Sequence, residues 1–386
     1  MKSPWPTKKL GEVVEKLELK KAQTNSWPYI EIGDVDIENK SIILKDKKSI
    51  KGAIIAPADS VLVSRVRPTR GAIVYLDKDY VVSSAFSVIK PKLFESSSKF
   101  LFYWLGFSKD FIRYLQKKQK GSNYPSVRDN DILNFKIPLP PLKIQQKIVE
   151  RLDAIKKAQE LNDKQIELAE ELFQSLLHQE LKPQKDWKAM KLSETISEIS
   201  DGNYSSKYPR QSDFVARGVP FVRANNIKKG TIIWDDMRYI SKEKHHELKK
   251  GHLKIGDVVI TTRGEIGNVA IVPEEFDDAN MNAQLVRLHT NEKIILKEFL
   301  FYTFQTTQSK KQLLGLLSGS TLKQLPVKSL LKFKIPLPPL ETQRKIVEKL
   351  SAVQEYKKKL LDQKQKLQEL FESVLNKSFS RILEYR

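Results

Sequence analysis

The stretch FKIPLPPL stands at Phe135–Leu142 and again, letter for letter, at Phe333–Leu340, 198 positions later. A repeat at that distance constrains the fold more than any other feature: whatever the first copy builds, the second builds again. From the octets the match continues without a gap over Phe135–Leu181 against Phe333–Phe379, with 21 of 47 positions identical. It includes QxKIVExLxA, from Gln145 and Gln343, and LFxSxL, from Leu172 and Leu370. Upstream the echo is fainter. KFLFYW at Lys99–Trp104 resembles EFLFYT at Glu298–Thr303, GS recurs at Gly121 and Gly319, and Trp5 or Trp187 opens each copy, with LxE following at Leu10–Glu12 and Leu192–Glu194. Ala58–Leu76 resembles Gly256–Val272. Each half has a divergent front and a nearly constant back.

The backs predict long helices. Pro138, Pro140 and Pro141 hold the chain extended, and Pro141 suits a first helical position. No Pro or Gly then appears before Pro183, and none after Pro339. Apolar residues step by four and three through Ile148, Leu152, Ile155, Ile166, Ala169, Phe173 and Leu176, and through Ile346, Leu350, Val353, Leu360, Leu367, Phe371 and Val374. That is a heptad seam. Gln159 and Asn162 interrupt the first seam, Lys357 and Lys364 the second, which suits one specific partner helix. Two such helices can pair with each other, antiparallel, or each can pack on its own domain. The fronts read as mixed α/β, with strands in YIEIGDVDI, SIILK, SVLVSRV, GAIVYL, PFVRANNI, TIIW, DVVITTR and NVAIV, and short helices over Phe100–Lys118 and Leu296–Leu314. The expected fold is therefore α+β: two mixed α/β domains in tandem, residues 1–141 and 182–339, each followed by a long helix, 142–181 and 340–379. An internal pseudo-twofold repeat relates the halves.

Charge follows the same division. The net charge of +21 is concentrated in the fronts, +10 over residues 1–141 and +9 over 182–339, while the helices carry −2 and +3. A lysine-rich soluble surface would account for the excess, and so would a polyanion partner such as nucleic acid. The chain has no cysteine, which excludes disulfides and thiol catalysis and fits a reducing compartment. The N-terminus lacks the apolar core of a signal peptide and no run of apolar residues is long enough to span a bilayer, so a cytoplasmic protein without membrane contact is expected.

Catalytic signatures are missing. GxxxxGK[ST] and a strand-following GxGxxG are absent, and GLLSGST at Gly315–Thr321 has neither the spacing nor the lysine. No N/D-P-P-aromatic segment for adenine methylation occurs. ELK at Glu18–Lys20 and ENK at Glu38–Lys40 match the letters of a nuclease triplet, but such triplets arise readily by chance in a chain with 30% charged residues. His245, His246 and His252, in a lysine-rich loop without cysteine, read as solvated surface rather than as zinc ligands, so no metal ligands are assigned.

Binding signals are richer. RVRPTRG (Arg65–Gly71) and TTRGEIG (Thr261–Gly267) occupy corresponding places after a strand. Arg65, Arg67, Arg70 and Arg263 can grip a guanine edge or a phosphate, though an ordinary charged turn would carry the same letters. GSNY supplies Asn123 and Tyr124, SGST supplies Ser320, GNYSSKYPR supplies Asn203, Tyr204 and Lys207, and RANN supplies Arg223 and Asn225. Amides of this kind can read adenine.

The duplicated PLPPLxxQxKIVExL, the LFxSxL closing each helix and the GDVVITTRGEIGNVAIV segment together resemble the specificity subunits of type I restriction–modification systems, across essentially the whole chain. The first copy departs from the family pattern where RVRPTRG replaces a short glycine-bounded turn. The resemblance implies a non-catalytic subunit whose two target-recognition domains each bind half of a split, asymmetric site on double-stranded DNA. It implies that the helices form an antiparallel coiled-coil spacer and dock two methyltransferase subunits that use S-adenosylmethionine, with restriction subunits adding ATP and Mg2+ chemistry where present. The chain itself would need no cofactor. The alternatives are a stand-alone DNA-binding scaffold or the specificity unit of a methylase-only system; a nuclease or methylase in its own right is a third class.

Overall fold

The computed structural model describes residues 5–26, 28–202, 207–319 and 323–380. The chain forms two compact units, one of Met1–Asp163 with Asp362–Arg386, the other of Lys164–Leu361. Each unit holds one basic front and one stretch of each long helix.

In the first unit, the repeated proline segment closes the domain. Lys136–Pro138 pairs antiparallel with Thr7–Lys9 in a two-stranded ribbon, a setting in which a strand tolerates proline because no further neighbour needs its missing N–H. The central sheet runs Ile73–Leu76, Ser60–Ser64, Phe86–Ile89, all antiparallel. SVLVS is buried throughout because its two faces serve two cores. Val61 and Val63 face the cluster that holds Phe100, Leu105 and Phe111, whereas Leu62 packs with Ile30, Val74 and Val82. A second sheet joins Tyr29–Ile30, Tyr80–Val82 and Ile54–Ala56, the first two parallel. YIEIGDVDI is not one strand. A 3-10 turn at Ile32–Asp34 breaks it before Val35–Asp36 pairs with Ser41–Ile42.

The second unit repeats this plan with additions. Lys188–Lys191 pairs with Lys334–Leu337. The central sheet runs Ile196–Asp201, Leu285–Thr290, Val258–Thr261, Val269–Ile271, again with Val258 and Ile260 facing one core and Val259 the other. Val219–Val222 lies parallel to Asn280–Met281, as Tyr29–Ile30 does to Tyr80–Val82. The additions include a fourth strand in the central sheet, Ile196–Asp201, the strands Phe214–Val215 and Arg238–Ile240, and the helix Lys242–Glu247.

The expected helices over 100–118 and 296–314 are each two helices: Ser98–Phe107 and Lys109–Lys118, Lys297–Gln305 and Thr307–Gly315. The break has a local cause. Ser108 Oγ accepts from Phe111 N at 3.2 Å and Thr306 Oγ1 from Ser309 N at 3.1 Å, capping a new helix in mid-run.

The long helices span Leu142–Glu180 and Leu340–Ser380, so each begins one residue after the proline expected to lead it. In the first unit Ile148, Leu152 and Ile155 share a core with Phe371 and Leu375, and Lys364 pairs with Asp163 at 2.8 Å. In the second, Phe173 and Leu177 share a core with Ile346 and Leu350, while Lys349 meets Glu180 at 2.8 Å and Lys357 meets Glu170. Numbers rise on one partner as they fall on the other, so the paired stretches within the second unit are antiparallel. The seam differs from expectation at its end: Leu177 and Leu375 are buried, while Leu176 and Val374 are only partly so. Asn162 occupies a seam position and is buried, with neither amide atom hydrogen-bonded.

Gln145 and Gln343 lock each helix start to its own front. Both are fully buried. Gln145 donates to Pro140 O at 2.8 Å and accepts from Ser96 Oγ and Ser97 N, each at 3.0 Å. Gln343 donates to Pro338 O at 3.0 Å and Ile294 O at 2.9 Å and accepts from Leu296 N at 2.9 Å.

Candidate nucleic-acid interface

The arginine loop and the small polar loop of the first front, 55 or so residues apart in sequence, are neighbours in space. Val66 and Lys120 both bridge to Ser126, and Arg67 N donates to Pro125 O at 2.7 Å. Arg67 adopts a left-handed conformation, φ 48°, and its guanidinium lies 5.2 Å from the centre of the Tyr124 ring, a cation–π distance. Tyr124 is 73% exposed. Asn123 and Arg70 are exposed beside this pair. A non-glycine residue at positive φ next to an exposed aromatic ring is a strained arrangement of the kind that gathers at binding sites.

Arg65 differs. Its Nη1 pairs with Asp129 at 2.9 Å and its Nη2 donates to Ser84 O, so it braces the loop internally. Gly71, at φ 71°, closes the turn, and Lys40 Nζ donates to Gly71 O at 2.6 Å. Burial, and then the nearby Lys156, lower the Lys40 ammonium from its ordinary value. The lysine of the ENK triplet is thus a loop support, which its letters did not reveal.

The second front repeats the arrangement. Arg263 and Ser318 both bridge to Gln324, and Leu325 N donates to Thr262 O at 2.9 Å. Lys120–Ser126 and Ser318–Gln324 are related by the same 198-residue offset as the octets, so the duplication extends into loops whose letters have diverged. Gly267, at φ 91°, takes the place of Gly71. Arg263 is half-buried.

One segment, Asn282–Leu285, gathers the other second-front candidates. Asn282 N donates to Val222 O at 2.8 Å, directly before Arg223, and Gln284 O accepts from Thr262 N at 2.7 Å, directly before Arg263. Gly202 N donates to Leu285 O at 3.3 Å. Glycine is required there, because a Cβ would stand 2.1 Å from Asn282 O. The backbone thus places the origins of GNYSSKYPR, RANN and TTRGEIG side by side.

Not all of their side chains are poised outward. Arg223 pairs with Asp236 Oδ2 at 2.7 Å, and Asn225 donates to the same oxygen at 3.3 Å. This holds the Asp236 carboxyl below its usual range, Arg223 being the main cause. Lys207 is exposed, 3.5 Å from Glu247. Asn203, Tyr204 and Ser320 lie outside the described residues. Asn226, fully buried, accepts from Arg223 N at 3.0 Å and donates to Asp235 O at 2.8 Å; it shapes the RANN turn.

The histidines correct another expectation. His245 lies in the helix Lys242–Glu247 and is buried, not in a solvated loop. No described helix is long and apolar enough to cross a membrane.

The family model for the type I restriction modification DNA specificity domain matches this chain twice, over residues 2–171 and 184–370. The type I restriction enzyme MjaVIII specificity subunit of Methanocaldococcus jannaschii is 26% identical over 406 aligned positions, covering 98% of this chain and 92% of that one. The EcoBI specificity subunit of Escherichia coli is 26% identical over 199, half of this chain and 41% of its own length. Among solved structures, the HsdS subunit from Thermoanaerobacter tengcongensis superposes with TM-score 0.52 at 23% identity, covering 98% of this chain and 97% of that one. The type I S subunit from M. genitalium gives 0.60 at 15%, covering 97% and 96%.

Proposed function

This chain belongs to the type I restriction–modification DNA specificity family, as the non-catalytic subunit that recognises DNA with two domains, and from that premise we propose which residues read the DNA and what docks on the helices. The reading surface of the first front is built on Arg67, Arg70, Asn123 and Tyr124, that of the second on Arg263 and the loop that Gln324 closes. The observation that carries this is the matched pair of bridges, Lys120–Ser126 with Val66 and Ser318–Gln324 with Arg263. Two fronts that differ in sequence build the same loop junction and set an arginine beside it. Arg65 braces the first of these loops, and Arg223 braces the RANN turn through Asp236.

Two methyltransferase subunits dock on the repeated backs. Leu172 and Leu370 hold the same repeat position and are 50% and 48% exposed. One exposed leucine on a helix is ordinary, but the same one retained in both copies suits one kind of partner bound twice. Those partners would supply S-adenosylmethionine chemistry, and restriction subunits, where present, would supply ATP and Mg2+ chemistry; this chain would hold none of these cofactors. The length of the long helices would set the gap between the half-sites.

The test is the methylated motif. The chain is co-expressed with its methyltransferase in a host lacking other adenine methylation, and methylation is mapped genome-wide. The wild type should mark one bipartite motif, and Arg263→Ala should relax one position in one half of it at a cost of about 1–3 kcal/mol in binding. An unchanged motif and affinity would remove Arg263 from the reading surface, and methyl transfer by the purified chain alone would contradict the subunit's role.

A further inference from the structure

The second front contains a side-chain cluster with no counterpart in the first. His245, His252 and Asp278 each offer a ligand atom, and the three atoms lie within 4.8 Å of one another. His245 Nε2 is 3.2 Å from Asp278 Oδ2, and His252 Nδ1 is 3.0 Å from Asp278 Oδ1. The two rings are 4.6 Å apart. Asp278 sits at φ 57°, held by Asp278 N donating to Leu253 O at 2.9 Å.

The far side of each ring is also fixed. His245 Nδ1 is 2.6 Å from Oδ1 of the fully buried Asn280, and His252 Nε2 faces the backbone carbonyl of Leu248. A carbonyl oxygen only accepts, so each imidazole carries its proton on that far nitrogen. In neutral rings the near nitrogens then present lone pairs, and both point at one carboxylate. Lone pairs do not attract a carboxylate; positive charge must stand among the three groups. A second proton on a ring would supply that charge as an ion pair, and so would a metal ion held by all three groups. Ligating histidines ordinarily donate their other N–H to a carbonyl or carboxylate, as both do here. Zinc–ligand bonds of about 2.0–2.1 Å in a tetrahedron put neighbouring ligand atoms roughly 3.3 Å apart; each histidine nitrogen is that close to one carboxylate oxygen, His245 to Oδ2 and His252 to Oδ1, and one atom from each of the three residues falls within 4.8 Å of the others.

We propose that His245, His252 and Asp278 form a site for a divalent transition-metal ion of the zinc class, with Asn280 orienting His245 and a fourth position left to solvent. The ion would act as a staple. It would fasten the additional helix Lys242–Glu247 to the strand Asn280–Met281, which pairs with Val219–Val222 and so leads to Arg223. The site stands on its own geometry and does not depend on the DNA-reading assignment.

The experiment uses the full chain, treated with EDTA and desalted, then titrated with Zn2+ by calorimetry and melted with and without it. The expected result is saturable binding of one ion and a higher melting temperature. Asp278→Asn and His252→Gln change partly exposed side chains, so the fold survives, as circular dichroism would check; each should weaken binding roughly tenfold or more. Asn280→Ala should cost about 10–100-fold. His246→Gln, next to the site but outside the ligand set, should leave binding unchanged. Absence of one-site binding, wild-type affinity in Asp278→Asn and His252→Gln, or an equal loss in His246→Gln would each overturn the assignment.

Discussion

At Arg67 the demands of folding and of binding pull apart. A left-handed backbone at a non-glycine residue costs about 1–2 kcal/mol, and the φ of 48° is there. Glycine relieves that cost but removes the guanidinium that lies over Tyr124. Arg67→Gly should therefore keep or raise thermal stability while weakening DNA binding by about 1–3 kcal/mol. Melting curves and a binding titration on the same preparation separate the two effects; a variant that lost stability without losing affinity would make Arg67 a structural residue. The letters RVRPTRG were legible as a basic loop, but which arginine is free to act was not. Arg65 is consumed by Asp129 and Ser84, residues that only the sheet brings near. Arg223 is likewise taken by Asp236. The histidine cluster was illegible for the same reason: its third member, Asp278, is 26 residues beyond His252.

Among elements, the long helices and the proline strands were the most readable, because periodicity and repetition are local signals. The breaks at Ser108 and Thr306 were not legible, since a serine or threonine inside a helical stretch does not show by itself that its side chain will cap a new helix. The buried glutamines were visible as part of the repeat, yet their role depends on carbonyls of other segments. Gln343→Leu should destabilise the second unit, at roughly 1–3 kcal/mol for each buried group left without a partner, seen as a lowered denaturant midpoint. The ion pair of Lys357 with Glu170 makes a pH prediction. Hydrogen bonding from Lys357, then from Gln174, holds the Glu170 carboxyl below the usual carboxylate range. A depressed carboxylate stabilises the fold above the unfolded value, and that contribution disappears as pH falls through the folded one. Melting temperatures between about pH 6 and 3 should fall more steeply for wild type than for Glu170→Gln; parallel curves would mean that the pair contributes nothing. Helix length has its own test. Four residues inserted after Asn162 add about 6 Å of helix, and DNA rises about 3.4 Å per base pair. An active insertion variant should thus mark a motif whose gap is one or two base pairs longer, by roughly the ratio of those lengths. An unchanged gap would show that the helices are not the ruler.

Over the whole molecule, one plan is used twice with different surfaces. On the proposed reading, the backs are alike because each would meet the same kind of partner, and the fronts diverge because each would meet a different sequence. Charge agrees: the excess of positive residues is in the fronts, where a phosphate backbone would lie. The central claim is that each front reads its own half-site independently of the other. The most direct measurement replaces residues 182–339 with the corresponding block of another family member and maps the methylated motif of the resulting complex. One half of the motif should change, while the other half and the gap between them stay as in the wild type. A change in both halves, or in neither, would contradict the account.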